Sequence, residues 1–323
     1  MATTDVEQRF AATMKSLARR ADLKEYVERT PAVYALLQRA AAKYVAGDRR
    51  AEALEAGIRL GEKDYAVSIE YIGENTADAA ACEDAVREMG EIVRDLAERG
   101  MSGRVSFDLS HIGLMVDAEL AYKGLVALAE QAEQAGIELF ISMEEAAKTE
   151  EILAVYRRAA ARYSNIGITL QAQLHRTVQD LNRLRSDATG RVRLVKGAYQ
   201  EPSGLSIPRS EELNERYLGL VEDAIEQGHR ISIATHDEGI VDEVIRRGWA
   251  RLPGVEFEML YGIRPDLCSR LKQAAYPVRV YLTYGREWYL YLCHRIAEYP
   301  PNIYQAIVDI ASEAQADSAA AYE

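Results

Sequence analysis

Short runs rich in β-branched and apolar residues alternate with longer stretches whose apolar positions recur every three to four residues, and this alternation repeats eight times from Asp64 onward. The runs predict strands at 65–71, 104–109, 137–143, 167–171, 191–197, 230–235, 255–260 and 278–283. The stretches between them predict helices near 77–99, 117–135, 146–163, 176–186, 210–227, 238–248, 264–273 and 287–298. Eight strand-then-helix units over about 235 residues match a closed (β/α)8 TIM-type barrel in size. The doubly wound sheet is the competing α/β arrangement, and the lack of a GxGxxG triplet after the first strand weighs against it. Upstream, Phe10, Met14, Leu17 and Ala18 share one helical face and Val33, Leu36, Leu37 and Ala40 another. The expected division is an N-terminal helical arm over 1–62, a barrel over 63–302, and a C-terminal helix with a frayed tail over 303–323, because the residues after Gln315 offer little to pack.

Charge narrows the partners. The 323 residues carry a formal net charge of -12, so the basic face that nucleic-acid binding needs is missing. The three cysteines, Cys82, Cys268 and Cys293, are far apart and show no CxxC spacing, which argues against both a disulfide framework and a zinc site. A reducing cytosol fits that usage. The N-terminus lacks the regions of a signal peptide, and no apolar run approaches the ~18 residues of a membrane span. A cytoplasmic protein is expected, and peripheral membrane contact is compatible with the composition.

In a barrel, chemistry sits at the carboxyl ends of the strands and in the loops that follow them. The candidates there are Glu74, Asp108, His111, Ser142, Glu144, Gln171, Arg193, Lys196, Tyr199, Thr235, His236, Asp237, Tyr261, Tyr281 and Tyr284. His111 and His236 alone are too few for a hydrolytic zinc centre. Asp108 and Glu144 could serve a glycosidase only at the right separation, and Lys196 is the plausible nucleophile of a Schiff-base aldolase. A cofactor pocket, which needs donors, an amide such as Gln171 and aromatic rings together, is met best. Strand alternation sends Arg193 and Val195 to one face and Leu194 and Lys196 to the other. Gly197 then lets the backbone approach a bulky ligand where a Cβ would obstruct it.

At Arg193-Leu-Val-Lys-Gly-Ala-Tyr199 the sequence resembles the proline dehydrogenase family, flavoenzymes built on a (β/α)8 barrel that bind FAD without covalent attachment. The resemblance continues through Gln171, His175-Arg-Thr177, Ala234-Thr-His-Asp237, Phe257-Glu-Met-Leu-Tyr-Gly-Ile-Arg264 and Tyr281-Leu-Thr-Tyr-Gly-Arg-Glu-Trp-Tyr289 into Arg295-Ile-Ala-Glu298. It implies that Arg193 lies near flavin N5 and Gln171 at the pyrimidine edge of the isoalloxazine. Val195, Lys196, Gly197, Ala198 and Tyr199 then form the cofactor-binding strand, and Thr235 and His236 hold the rest of the FAD. Tyr281 matches the tyrosine that packs on substrate.

The substrate side departs from the family. Proline-oxidising members are expected to grip the substrate carboxylate with a lysine on the second strand and two adjacent arginines on the last helix, with an aspartate on the third strand. Here those positions read Asp108, His294-Arg295 and Ser142. An anion in place of a cation about 4 Å from a carboxylate turns an attraction of roughly 4 kcal/mol at an effective dielectric of 20 into a repulsion. The expectation is an FAD-dependent dehydrogenase that takes hydride from a carbon or nitrogen centre of an amine-type substrate other than free proline and passes electrons to a quinone or oxygen. Authentic proline oxidation to pyrroline-5-carboxylate and a non-catalytic flavin-binding role are the alternatives.

Overall fold

The strands obey a strict alternation, and it decides which side of the sheet is which. The computed structural model describes residues 5–18, 20–184, 190–298, 302–311 and 318–322. Four helices come first: α1 (Asp5–Ala18), α2 (Ala21–Arg29), α3 (Pro31–Ala41) and α4 (Arg50–Glu62). Then follow β1 (Ala66–Tyr71), α5 (Ala79–Glu98), β2 (Gly103–Phe107), α6 (Ala118–Ala135), β3 (Glu138–Ile141), α7 (Thr149–Ala160), β4 (Ile166–Gln171) and α8 (Thr177–Arg183). The second half holds β5 (Val192–Val195), α9 (Glu211–Glu226), β6 (Ile231–Ala234), α10 (Glu238–Arg246), β7 (Val255–Leu260), α11 (Pro265–Gln273), β8 (Val278–Tyr284), α12 (Trp288–Glu298) and α13 (Asn302–Ala311). All neighbouring strands pair in parallel, and β8 closes onto β1. The expected barrel is the fold.

Val67, Ile69, Val105, Phe107, Ile168, Leu170, Val192, Leu194, Ile231 and Ile233 belong to the buried core, where they meet the helices. Each contributes about 1.5–3 kcal/mol through removal from water. The intervening positions point into the barrel, and many of them are polar. Ser68 Oγ meets Ser106 Oγ at 2.9 Å, and Arg104 on β2 reaches across the interior to Ser232 at 3.3 Å and Glu258 at 3.1 Å. Arg104 also binds Glu138 and Glu256, and Arg279 reaches Glu256 from β8. Such a lattice favours one strand register, because removing one member leaves a buried charge unpaired. Side chains seal several helix starts: Asp78 caps α5 through Ala81 N, Ser210 caps α9 through Leu213 N, and Asp237 caps α10 through Gly239 N and Ile240 N.

Three sequence expectations change. The arm does not end at residue 62, since α4 packs on β1 and β8 and buries Ala53, Leu54, Ala56 and Leu60 in the main core. In turn α12 packs chiefly on α1 and α3, in a second apolar cluster with Trp288, Leu292 and Ile296. The tail is not frayed over 318–322: Tyr322 is fully buried, its hydroxyl accepts from Gly262 N at 2.9 Å, and its ring stacks on Tyr261 at 6.0 Å. One buried aromatic ring supplies what composition alone did not suggest.

Candidate active site

The carboxyl ends of β4, β5 and β6 form one half of the barrel mouth. Arg193 points inward from β5, as the alternation requires. Its Nε and Nη2 donate to the two oxygens of Glu258 at 2.9 and 2.7 Å, Nη2 also to Ser106 Oγ at 3.0 Å, and Nη1 to Thr169 Oγ1 at 3.3 Å. Its guanidinium carbon lies 4.3 Å from the Phe140 ring centre and 4.8 Å from that of Tyr281. Val195, one inward step further, stands beside Gln171 across the β4–β5 ladder. Gln171 Nε2 donates to the Glu144 carbonyl at 2.8 Å, which ties β4 to the loop after β3.

Lys196 turns the other way. Its ammonium donates to Asn214 Oδ1 and Asp237 Oδ2, both at 2.6 Å, so it stands at the outer rim and not inside the barrel. Burial pushes its pKa down while Asp237 pulls it up. A free amine aimed into the mouth, which the aldolase reading requires, is therefore not what this side chain offers. Gly197 has φ +109°, and a Cβ there would come within 2.4 Å of the Gln173 side chain. Its glycine is required by the backbone conformation and by Gln173, a residue the sequence reading passed over, rather than by ligand approach alone. Gln173 Nε2 donates to Tyr199 O at 3.2 Å and cinches the segment Gly197, Ala198 and Tyr199 against β4. On β6, Thr235 Oγ1 accepts from Asp237 N at 3.2 Å, leaving its hydroxyl hydrogen for another acceptor. His236 Nε2 accepts from Leu260 N at 3.0 Å, so the ring proton sits on Nδ1.

The ends of β1, β2 and β3 form an acidic half. Asp108, Glu70, Glu74 and Glu144 gather there, with Glu144 close enough to act on both Asp108 and Glu74. Burial first, then Glu144, Glu70 and Glu74, hold the Asp108 carboxyl well above its ordinary range. Burial also raises Glu70 to about 7 and lifts Glu74. Glu144 accepts from Ser110 N at 3.0 Å and pairs with Lys148 at 2.6 Å, and Lys148 also reaches Glu145 at 3.0 Å. Ser142 and the Tyr281 hydroxyl stand 3.5 Å apart where the two halves meet.

The last helix supplies the remaining candidates. The His294 ring stands edge-on to Tyr199 with centres 6.1 Å apart, and Arg295 is buried with its guanidinium 4.8 Å from the Tyr291 ring. Other sequence candidates leave the mouth. His111 packs on Tyr71 at 5.3 Å, is pushed by burial down to about 4, and lines a lateral cleft of about 1210 Å³ between α4 and α5. Tyr284 points outward to Glu88 at 2.7 Å, and Tyr261 is occupied by Tyr322. Glu70, Phe140 and Glu258 were missed, although their inward phase was readable: each is separated by two positions from another polar or inward residue of its strand. Among the described residues, no group of three or more His, Cys, Asp or Glu could hold a metal ion, and no helix is long and apolar enough to cross a membrane.

The proline dehydrogenase family model matches residues 53–300. Proline dehydrogenase 1 of Bacillus subtilis (strain 168) is 31% identical over 265 residues, covering 81% of this chain and 87% of that protein. The proline dehydrogenase of Deinococcus radiodurans is 33% identical over 270 residues, with 81% and 87% covered. Among solved structures, proline utilization A (PutA) from Bdellovibrio bacteriovorus superposes with a TM-score of 0.74 at 18% identity, a likeness of fold that covers 88% of this chain and 35% of that one. The match runs from α4 through the barrel to α12, and the chain belongs to the proline dehydrogenase family of oxidoreductases.

Proposed function

We propose that this protein is an FAD-dependent dehydrogenase that takes hydride from the carbon beside a nitrogen of an amine-type substrate other than free proline. The donor set along β4–β6 suits FAD: Gln171 supplies an amide at the mouth, Arg193 a buried cation beneath it, and Lys196, Thr235 and His236 polar groups along the rim. FAD, when bound, supplies a two-electron acceptor. Arg193 then offers positive charge where negative charge develops, which is stabilisation directed at the transition state. Tyr281, whose ring centre lies 4.8 Å from the Arg193 guanidinium carbon, would pack on the reacting part of the substrate. The substrate nitrogen must be neutral to push out hydride, so turnover rises with pH as that nitrogen loses its proton.

One observation carries the substrate claim: Asp108 sits among Glu70, Glu74 and Glu144 on the wall opposite the cofactor residues. A substrate carboxylate there would push these carboxyls still further toward holding their protons, whereas an ammonium lets them ionise and pair with it. Arg295 remains to take one carboxylate or carbonyl oxygen. Authentic proline oxidation is favoured by the names of the relatives and by a second fact, that Asp108 and Glu70 hold protons more tightly than ordinary carboxyls and in that form can donate hydrogen bonds. The triple variant Asp108→Lys, Ser142→Asp and His294→Arg separates the readings. Proline turnover is expected to rise at least about tenfold, equivalent to 1.4 kcal/mol, and no gain would mean that these three positions do not form the substrate site.

A further inference from the structure

The floor of the mouth holds a buried ion pair between Arg193 and Glu258. Arg193 has five N–H groups. Two are spent on Glu258, one on Ser106 and one on Thr169, which leaves a single Nη1 hydrogen without a partner among the described residues. Glu258 is 3% exposed, and its Oε2 also accepts from Arg104 Nη1 at 3.1 Å. Burial works to raise its carboxyl, but Arg193 and Arg104 outweigh burial and hold it below the ordinary range, so it stays ionised. A bidentate, charge-assisted pair of this kind fixes the guanidinium plane. It also sets a full negative charge against the cation in surroundings where screening is weak.

We propose that Glu258 is a positioning residue that orients Arg193 and offsets its charge toward the flavin, making the bound cofactor a weaker oxidant than an uncompensated arginine would. The inference rests on the reading of Arg193 as the cation beneath FAD. A weaker oxidant suits an electron-rich amine donor, which gives up hydride readily, and reduces the driving force toward donors that hold hydride more tightly. Glu258 thus acts on substrate choice from below, without touching substrate.

The test is the midpoint potential of the flavin in the purified holoenzyme, read spectrally against a redox dye. Glu258→Gln keeps the shape and a hydrogen bond to Arg193 but removes the charge. The ratio of reduced to oxidised flavin at a fixed potential is expected to rise at least about tenfold, or roughly 30 mV for a two-electron couple. Ser106→Ala, which removes a neutral hydrogen bond from the same guanidinium, is expected to move that ratio less than about twofold. Should Glu258→Gln not fold, Glu258→Asp keeps a charge for Arg104 while withdrawing it from Arg193, and is expected to shift the ratio in the same direction by less. An unchanged potential in the folded Glu258 variant, or an equal shift in Ser106→Ala, overturns the proposal. Wild-type protein that binds no FAD overturns the functional reading itself, a result distinct from flavin that is bound but unmoved in potential.

Discussion

Glu70 illustrates how one inward position sets the electrostatics of the mouth. Burial is the main cause that lifts its carboxyl from 4.5 to about 7; Glu74 adds to the lift, and Tyr281, Arg193 and Arg295 oppose it. The folded protein therefore holds a proton at this site that the unfolded chain releases above about pH 4.5. The stability this group allows is fully present below pH 4.5 and is lost as pH rises through about 7. Glu70→Gln removes that dependence. Relative to wild type, the variant is expected to gain stability between pH 5 and pH 8, by up to about 3 kcal/mol at 1.36 kcal/mol per unit. Urea unfolding at the two pH values checks this, and a difference that does not change with pH contradicts it. At this scale the sequence was legible wherever strand alternation applied: Arg193 and Val195 face in and Lys196 faces out. It was not legible for His111, Tyr261 and Tyr284, because beyond a strand end, or on its outer face, direction depends on which helix or loop lies nearby.

At the scale of elements, the eight strands were found to within a few residues, and the shorter true ends matter. β2 stops at Phe107 and β3 at Ile141, so Asp108 and Ser142 lie just past the ladder, at the rim. The sequence reading placed 50–62 with the arm and 287–298 with the barrel, but it held no information on what either helix packs on: α4 lies on β1 and β8, and α12 on α1 and α3. The position of α12 depends on the arm. Trp288 is buried, donates from Nε1 to the Tyr34 hydroxyl at 3.0 Å, and lies 5.0 Å from that ring, while Lys24 pairs with Glu287 at 2.6 Å. Trp288→Ala is expected to cost about 3–5 kcal/mol, borne locally by the α12–arm contact. Flavin content, which the proposed function assigns to β4–β6, should stay near wild type while substrate affinity falls. Titration of both quantities checks this, and parallel loss of flavin and substrate binding would show that α12 is not a separable element.

At the scale of the whole molecule, the mouth divides into two sides with opposite chemistry. β4–β6 present amide, arginine, lysine and histidine groups, and β1–β3 present four carboxyls with perturbed or paired environments. The first side carries the motifs of the family resemblance, and the second carries the substrate proposal. Sequence motifs made the β4–β6 side readable because most of its residues fall in two short runs, Arg193–Tyr199 and Ala234–Asp237. The acidic wall was only partly visible, since Glu70, Glu74, Asp108 and Glu144 come from three units that closure of the barrel brings together. The most direct test is anaerobic mixing of the flavin-loaded protein with free proline and, in parallel, with cyclic amines and N-alkyl amino acids, followed through the flavin absorbance. Proline at millimolar concentration is expected to leave the flavin oxidised while an amine of the panel bleaches it; rapid bleaching by proline would contradict the proposed substrate class.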